Sequence, residues 1–374
     1  MKAAFIEKTG GPEVIQYGDL PKPIPQPGEV LVRIRAAAVN PIDLYIRSGA
    51  VSMSLPKPYI PGCDLSGVVE AVGQGAGRFQ PTNRVWGSNQ GLMGRQGTLA
   101  EYACVAEEWL YPTPANVSDE QAAAAALTGI TAHLGLFRCA RLQAGETVFV
   151  NGGTGGVGSM VVQMTRAVGA HVIATVGSAE KAAKCREWWT DLVLNYKTDD
   201  VDQGIRDFTK GKGVDVWFET QREPDLGRMV ELVRQRGRIV LIAGRQAKPT
   251  FPVGPFYVKD LSLYGFAIFN ASADEQRHCA ENINRWLQEN KLKGRDRQNI
   301  SIVRSRGRAP AAGGKYASKS RNSIGEDYRR AVKSDHRASQ IPSSMKKPTG
   351  GQPVGYKRTP CGVPLLVSRM VLLC

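Results

Sequence analysis

Gly153, Gly155 and Gly158 stand in GxGxxG spacing within GETVFVNGGTGGVG, directly after the apolar run Thr147 to Asn151. That spacing suits the holding of a pyrophosphate. The first glycine permits a tight turn, the second lets backbone approach the ligand, and the third lets the following helix pack close to the strand. A helix N-terminus then offers unpaired N–H groups and a positive dipole end, with Gly156 and Val157 completing the cradle. Glycine-rich turns also occur as plain loops, so the context decides. Here the strand before the turn and the amphipathic pattern Met160 to Val168 after it point to a dinucleotide site.

The choice of dinucleotide is written about 20 residues further on. An NAD-selective site places Asp or Glu there for the ribose hydroxyls, whereas an NADP site replaces it with a partner for the phosphate. In this chain the next strand ends VIATVGSAEK, which puts Gly177 and Ser178 in the acidic slot and Lys181 close behind. A phosphate meets a hydroxyl and a cation there, so NADPH is the expected cofactor. Ser178 as a helix cap and Lys181 as a solvated face account for the same residues, and the two roles are compatible.

No other constellation competes. The seven cysteines form no CxxC pair and are odd in number, which reads as free thiols in a reducing compartment. None of His133, His171, His278 and His336 lies in a motif that demands a general acid. The formal charge of +15 invites a nucleic-acid partner, but 17 Lys and Arg against 4 Asp and Glu follow Lys293, leaving 32 against 30 before it. Basic character is thus a property of the last stretch. MKAAFIEKTGG carries no apolar run of signal length, and PLLVSRMVLL is too short to span a bilayer, so the cytoplasm is the expected location and no membrane is expected.

The elements that must position these residues follow two grammars. Residues 1–122 alternate short β patterns with Gly/Pro turns (MKAAFIE, Val30 to Val39, Gly67 to Gly73, Ala100 to Val105), which predicts an all-β module. Residues 123–265 alternate helix and strand, which predicts a doubly wound parallel sheet of α/β class. Residues 266–293 contain a last amphipathic helix, Asp274 to Glu289, as a return segment. Residues 294–374 show no sustained period and read on composition as a disordered basic tail.

NPIDLYIRSG (Asn40 to Gly49), PGCDLSGVVEAVG (Pro61 to Gly73), LTGITA (Leu127 to Ala132), the glycine block and TVGSAEK (Thr175 to Lys181) together resemble the zinc-free NADPH:quinone oxidoreductase branch of the medium-chain dehydrogenase/reductase superfamily, the relatives of zeta-crystallin. The resemblance runs from Met1 to about Lys293. It implies a GroES-like β-barrel catalytic domain, a Rossmann domain and a cleft between them. It nominates Asn40, Asp43 and Tyr45 as the catalytic wall. Thr131, Tyr196, Gly244, Phe266 and Ile268 are nominated as further cofactor contacts. Zinc-using members place a Cys and the His of GHE around the metal. Asn40 and Cys63 occupy those positions here, and one thiolate cannot supply the three protein ligands that catalytic zinc needs. The expected reaction is reduction of a quinone or α,β-unsaturated carbonyl by direct hydride transfer, with Tyr45 either hydrogen-bonding the acceptor oxygen or serving as a packed aromatic. Zinc-type alcohol oxidation, and nucleic-acid binding through the tail, are the alternatives. The resemblance also suggests a homodimer through the strand Leu261 to Ile268, although an apolar strand inside one sheet reads the same way.

Members of this family close with a segment of the type IG..FPLSEAAEAH..L, which is missing after Lys293. Residues 294–315, back-translated with suitable codons and read one base later, spell AVIGRTFPLSEAEAAHQLLEA. The middle base of most existing codons sets the first base of the shifted one, which makes so long a match improbable by chance. The expectation is a one-base change of frame at about Gly294.

Overall fold

The structure is a computed structural model that describes residues 1–293, 299–301 and 369–372. The first module is built from β1 (Lys2–Phe5), β2 (Gln16–Asp19), β3 (Glu29–Val39), α1 (Pro41–Ser48), β4 (Leu65–Val72), β5 (Arg84–Gly87), β6 (Tyr102–Ala106) and β7 (Leu110–Pro112). Then come α2 (Asp119–His133), β8 (Thr147–Asn151), α3 (Gly156–Ala167), β9 (His171–Val176), α4 (Ala179–Arg186), β10 (Leu192–Asn195) and α5 (Val201–Thr209). The chain continues through β11 (Val214–Glu219), α6 (Leu226–Leu232), β12 (Val233–Leu241), α7 (Val253–Val258), β13 (Ser262–Gly265) and α8 (Ala273–Gln288). Two short strands, β14 (Asn299–Ser301) and β15 (Arg369–Leu372), complete it.

Strands β8 to β13 form one parallel sheet in the order β10-β9-β8-β11-β12-β13. The chain starts at the centre with β8, runs outward to β10, then crosses back to β11, which is the Rossmann order. That reversal opens a crevice at the C-terminal ends of β8 and β11. Val148, Phe149, Val150, Val216, Trp217 and Phe218 are buried on both faces, the signature of a parallel sheet covered by helices on each side.

The first module holds a second large sheet, with β3 at its centre pairing β4, β6 and β15, while β1 and β2 pair with each other in a small sheet. The module is not purely β, because α1 interrupts it. Asn40 caps that helix in a capping box with Asp43, Pro41 fits its first turn, and Gly49 ends it in the left-handed region. Nor is residues 294–374 wholly without order. β15 pairs in parallel with Ala36 to Val39 of β3, because that edge otherwise leaves N–H and C=O groups unpaired and the Arg-Met-Val-Leu run is compatible with a strand. The rest of the tail, including most of the segment expected to be out of frame, lies outside the described residues.

Helix α2 is the hub. Its Ala122 to Ala126 run is small enough to be enclosed by β3, α3 and α8, and all residues from Ala122 to His133 are buried. The helical run Asp119–Cys139 is long and apolar enough to cross a membrane by length and composition, but here it lies inside the protein. Gly129 leaves room for Ile283 of α8, whose Cδ1 lies 3.1 Å from where a Cβ would be. Helix α8 then holds two strands of the first module: Trp86 Nε1 donates to Asn284 Oδ1 at 2.9 Å, and Asn284 Nδ2 donates to the carbonyl of Pro112 at 2.9 Å.

Candidate active site

At the C-terminal end of β8 the chain makes the tight turn with Gly152, whose φ of +95° belongs to the left-handed region. The sequence reading gave that role to Gly153. Gly153 is required for a different reason: a Cβ there would lie 2.6 Å from the Ala174 Cβ of β9. Gly155 is the N-cap of α3 and has no side chain with which to cap it. The N–H groups of Gly156, Val157 and Gly158 in the first helical turn are therefore left for an external acceptor. Gly158 brings the helix against the strand end, since its Cβ would fall 2.1 Å from the carbonyl oxygen of Gly152.

Beneath the turn stand Asn151 at the end of β8, Thr175 one residue before the end of β9 and Glu219 at the end of β11, a group the sequence reading did not single out. The signal was a glutamate closing the apolar run Val216 to Phe218. Burial raises the pKa of Glu219, opposed mainly by hydrogen bonds from Asn151 and Trp217.

Ser178 caps α4, accepting the N–H of Lys181 at 3.3 Å, and the Lys181 side chain is exposed. Tyr196 follows β10 and is largely exposed. Its hydroxyl would lie 2.4 Å from a Cβ on Gly177, so only glycine lets the phenol cross the end of β9. Gly177, Ser178, Lys181 and Tyr196 thus adjoin at one strand end.

Thr131 faces the interior from α2 at 8 % exposure, and its hydroxyl oxygen has no partner among the described residues. Gly244 follows β12 with φ +86°, and a Cβ there would meet the Arg222 carbonyl at 3.0 Å. Phe266, just past β13, is half-buried and lies under the Arg138 guanidinium, while Ile268 is buried.

In the first module, Asn40 and Asp43 are buried at the start of α1, and Tyr45 follows on the same helix, half-buried. Asn40 Nδ2 donates to Asp64 Oδ2 at 2.8 Å, and Asp43 Oδ2 accepts the backbone N–H of Asn40 at 2.7 Å. Asp64 Oδ1 also accepts from Ser88 Oγ at 2.6 Å and from the N–H of Leu127 at 3.1 Å. Burial pushes Asp64 up to about 7, against the pull of its bonds from Ser88 and Asn40. It also pushes Asp43 up to about 6, against the backbone of Asn40 and the Cys63 thiol. Cys63 is enclosed between these carboxylates, and burial with their negative charge holds its thiol well above the usual range. The side chain at the first zinc-ligand position is thus engaged with a carboxylate. Among the described residues no three or more His, Cys, Asp or Glu converge to hold a metal ion.

Residues 26–115 match the family model for the alcohol dehydrogenase GroES-like domain, and residues 156–285 match that for zinc-binding dehydrogenase. The quinone oxidoreductase of Homo sapiens is 32% identical over 283 residues, which is 75% of this chain and 84% of the relative. The structure of the Pseudomonas syringae quinone oxidoreductase superposes with a TM-score of 0.70 at 30% identity, covering 78% of this chain and 90% of that one. The Escherichia coli quinone oxidoreductase complexed with NADPH gives a TM-score of 0.68 at 26% identity, with 78% and 90% coverage.

Proposed function

The chain belongs to the quinone oxidoreductase family of medium-chain dehydrogenases/reductases, and on that premise we propose that it uses NADPH to reduce a quinone or an α,β-unsaturated carbonyl, without zinc and in the cytoplasm. That it is an oxidoreductase using a nicotinamide cofactor follows from the family. The finer reading is carried by one observation: Asn40, at the first zinc-ligand position, gives its amide to Asp64. Cys63 is then the one thiol at the zinc-ligand positions, and catalytic zinc needs three protein ligands.

The residues fit the cofactor. The Gly152 to Gly158 turn leaves the first turn of α3 with no side-chain cap on its N–H groups, and Thr131 brings a buried hydroxyl with an open hydrogen bond. Gly156 and Val157 would hold the pyrophosphate by their N–H groups, and Ser178, Lys181 and Tyr196 the phosphate on the ribose. Gly244 and the Phe266 to Ile268 backbone would flank the nicotinamide. When bound, the cofactor supplies a hydride to an electron-poor carbon. The protein's part is mainly positioning. Asn40 and Asp43 secure the start of α1, and Tyr45 on that helix offers a phenol O–H to the acceptor oxygen, stabilising negative charge as it develops there. The proton comes from solvent.

A screen of NADPH oxidation across quinones and enones, with and without a chelator, tests the reading. Acceptor-dependent oxidation that ignores the chelator is expected. Chelator-sensitive turnover of alcohols with no quinone or enone activity would replace it with zinc chemistry.

The same chain is proposed to form a homodimer through β13. That strand ends the parallel sheet, and Val253, Tyr257, Val258 and Leu263 expose apolar surface beside it.

We further propose that the frame changes by one base at about Gly294. The gene's nucleotide sequence decides this, because a shifted frame that does not spell the FPLSEAEAAH segment ends the idea. Nucleic-acid binding rests on residues 294–374 alone, so a salt-sensitive affinity abolished by their deletion is the one result that would favour it.

A further inference from the structure

Glu219 is 1 % exposed beneath the glycine turn, and the hydrogen bonds to it come from donors. Asn151 Nδ2 lies 3.0 Å from each carboxylate oxygen, Trp217 Nε1 is 3.0 Å from Oε2, and the N–H of Gln221 is 2.7 Å from Oε1. On the other side, the N–H of Gly152 donates to Thr175 Oγ1 at 2.9 Å, and the Thr175 hydroxyl donates to Asn151 Oδ1 at 2.9 Å. The series begins in a group that only donates and ends in one that only accepts. Each proton between them therefore has a single direction, from Gly152 through Thr175 and Asn151 to Glu219. The orientation of the Asn151 amide follows from that polarity.

This series reaches further than strand pairing requires. The backbone ladder already joins β8 to β11 up to the Asn151 and Glu219 pair, and β8 to β9 up to Val150 and Ala174. Backbone also joins β9 to the turn, the N–H of Gly153 donating to the Thr175 carbonyl at 2.9 Å, and the side chains add the contact to the N–H of Gly152, the left-handed glycine that starts it. A carboxylate beside an anion site is unfavourable by charge. A glutamine would avoid that repulsion, but it cannot accept hydrogen bonds at both ends, which the three donors around Glu219 demand.

We propose that Glu219, acting through Asn151 and Thr175, is a positioning residue for the nucleotide: it sets the peptide plane at Gly152 and so aims the N–H groups of the first turn of α3 at the pyrophosphate. The role rests on the dinucleotide reading given above, and it makes the polarity of a side-chain relay a determinant of cofactor affinity.

The test titrates NADPH into the full chain by nicotinamide fluorescence, alongside urea unfolding, for wild type, Glu219→Gln, Thr175→Val, Thr175→Ser and the double variant Asn151→Asp with Glu219→Gln. Glu219→Gln and Thr175→Val are expected to weaken binding about tenfold, the equivalent of one hydrogen bond's contribution, while Thr175→Ser stays within about twofold. The double variant is expected to regain affinity relative to Glu219→Gln, because the new carboxylate at 151 accepts the Thr175 proton and the new amide at 219 donates to it. A purely structural role predicts no such rescue. Wild-type affinity in Glu219→Gln and Thr175→Val, or a double variant as weak as Glu219→Gln alone, overturns the proposal. Should substitutions at 219 fail to fold, the Thr175→Val and Thr175→Ser pair decides it. Weakened binding in a protein that reduces no quinone or enone overturns the proposed reaction and leaves the positioning role standing. Unchanged binding in a protein that does reduce them does the reverse, and a wild type that binds no NADPH overturns both.

Discussion

The Cα of Gly158 packs on the carbonyl of Gly152, so closely that a methyl group there would sit 2.1 Å from the oxygen. Because the obstacle is backbone, Gly158→Ala must push α3 away from the end of β8. The expected cost is about 1–3 kcal/mol of stability together with loss of most nucleotide affinity. Thermal unfolding and NADPH titration measure the two effects separately.

Lys181 and Ser178 mark the end of β9 where a ribose phosphate would lie. Lys181→Ala removes the cation while leaving the Ser178 cap to the backbone. It should lower kcat/KM with NADPH by about tenfold and barely change that with NADH, consistent with a charged hydrogen bond worth about 1.5–3 kcal/mol at most. An equal loss with both cofactors would remove Lys181 from the site.

Asp64 and Asp43 are raised to about 7 and about 6 from 3.8, so the folded protein binds protons more tightly than the unfolded chain. Stability from these groups is fully present below their unfolded pKa and is lost as pH rises through the folded values, between about 4 and about 7. Asp64→Asn should flatten the upper part of that fall. In that variant Ser88 and Leu127 keep an acceptor at position 64. Urea midpoints of both proteins across the range give the comparison, and parallel curves would show that Asp64 does not titrate there.

Asn284 of α8 holds two strands of the first module at once, accepting from Trp86 of β5 and donating to the Pro112 carbonyl of β7. Asn284→Leu strands the Trp86 N–H and the Pro112 carbonyl, and about 1–3 kcal/mol of destabilisation is expected. Urea unfolding followed by tryptophan fluorescence reads the loss directly.

Tyr257 is 67 % exposed on α7 beside the last strand of the parallel sheet. If β13 is the dimer edge, Tyr257→Asp shifts the protein to monomer in light-scattering chromatography without changing its thermal midpoint at high dilution. An unchanged mass would place any association elsewhere.

Much of this molecule was legible without coordinates, and the reason is local. Thr147–Asn151, His171–Val176 and Val214–Glu219 are strands where the sequence placed them, because each is a short run rich in β-branched or aromatic residues and flanked by glycine or polar residues. The close packing at Gly158 and the helix cap at Ser178 were readable because both depend on spacing to a neighbouring helix start. Helix α1 was missed because its NPIDLYIRSG text is short and starts on a proline. Helices α5 and α7 were missed as well, the latter being only Val253–Val258. What the tertiary structure alone decided is pairing across distance. It made Gly152 the left-handed residue and Gly153 the close-packed one, because only the position of β9 sets Ala174 against the turn. It placed Asp64 on Asn40 and Glu219 on Asn151, pairs 24 and 68 residues apart in the chain. A sequence carries periodicity and turn chemistry in its neighbours, whereas the partner of a buried carboxylate depends on which distant donor the folded sheet brings to it.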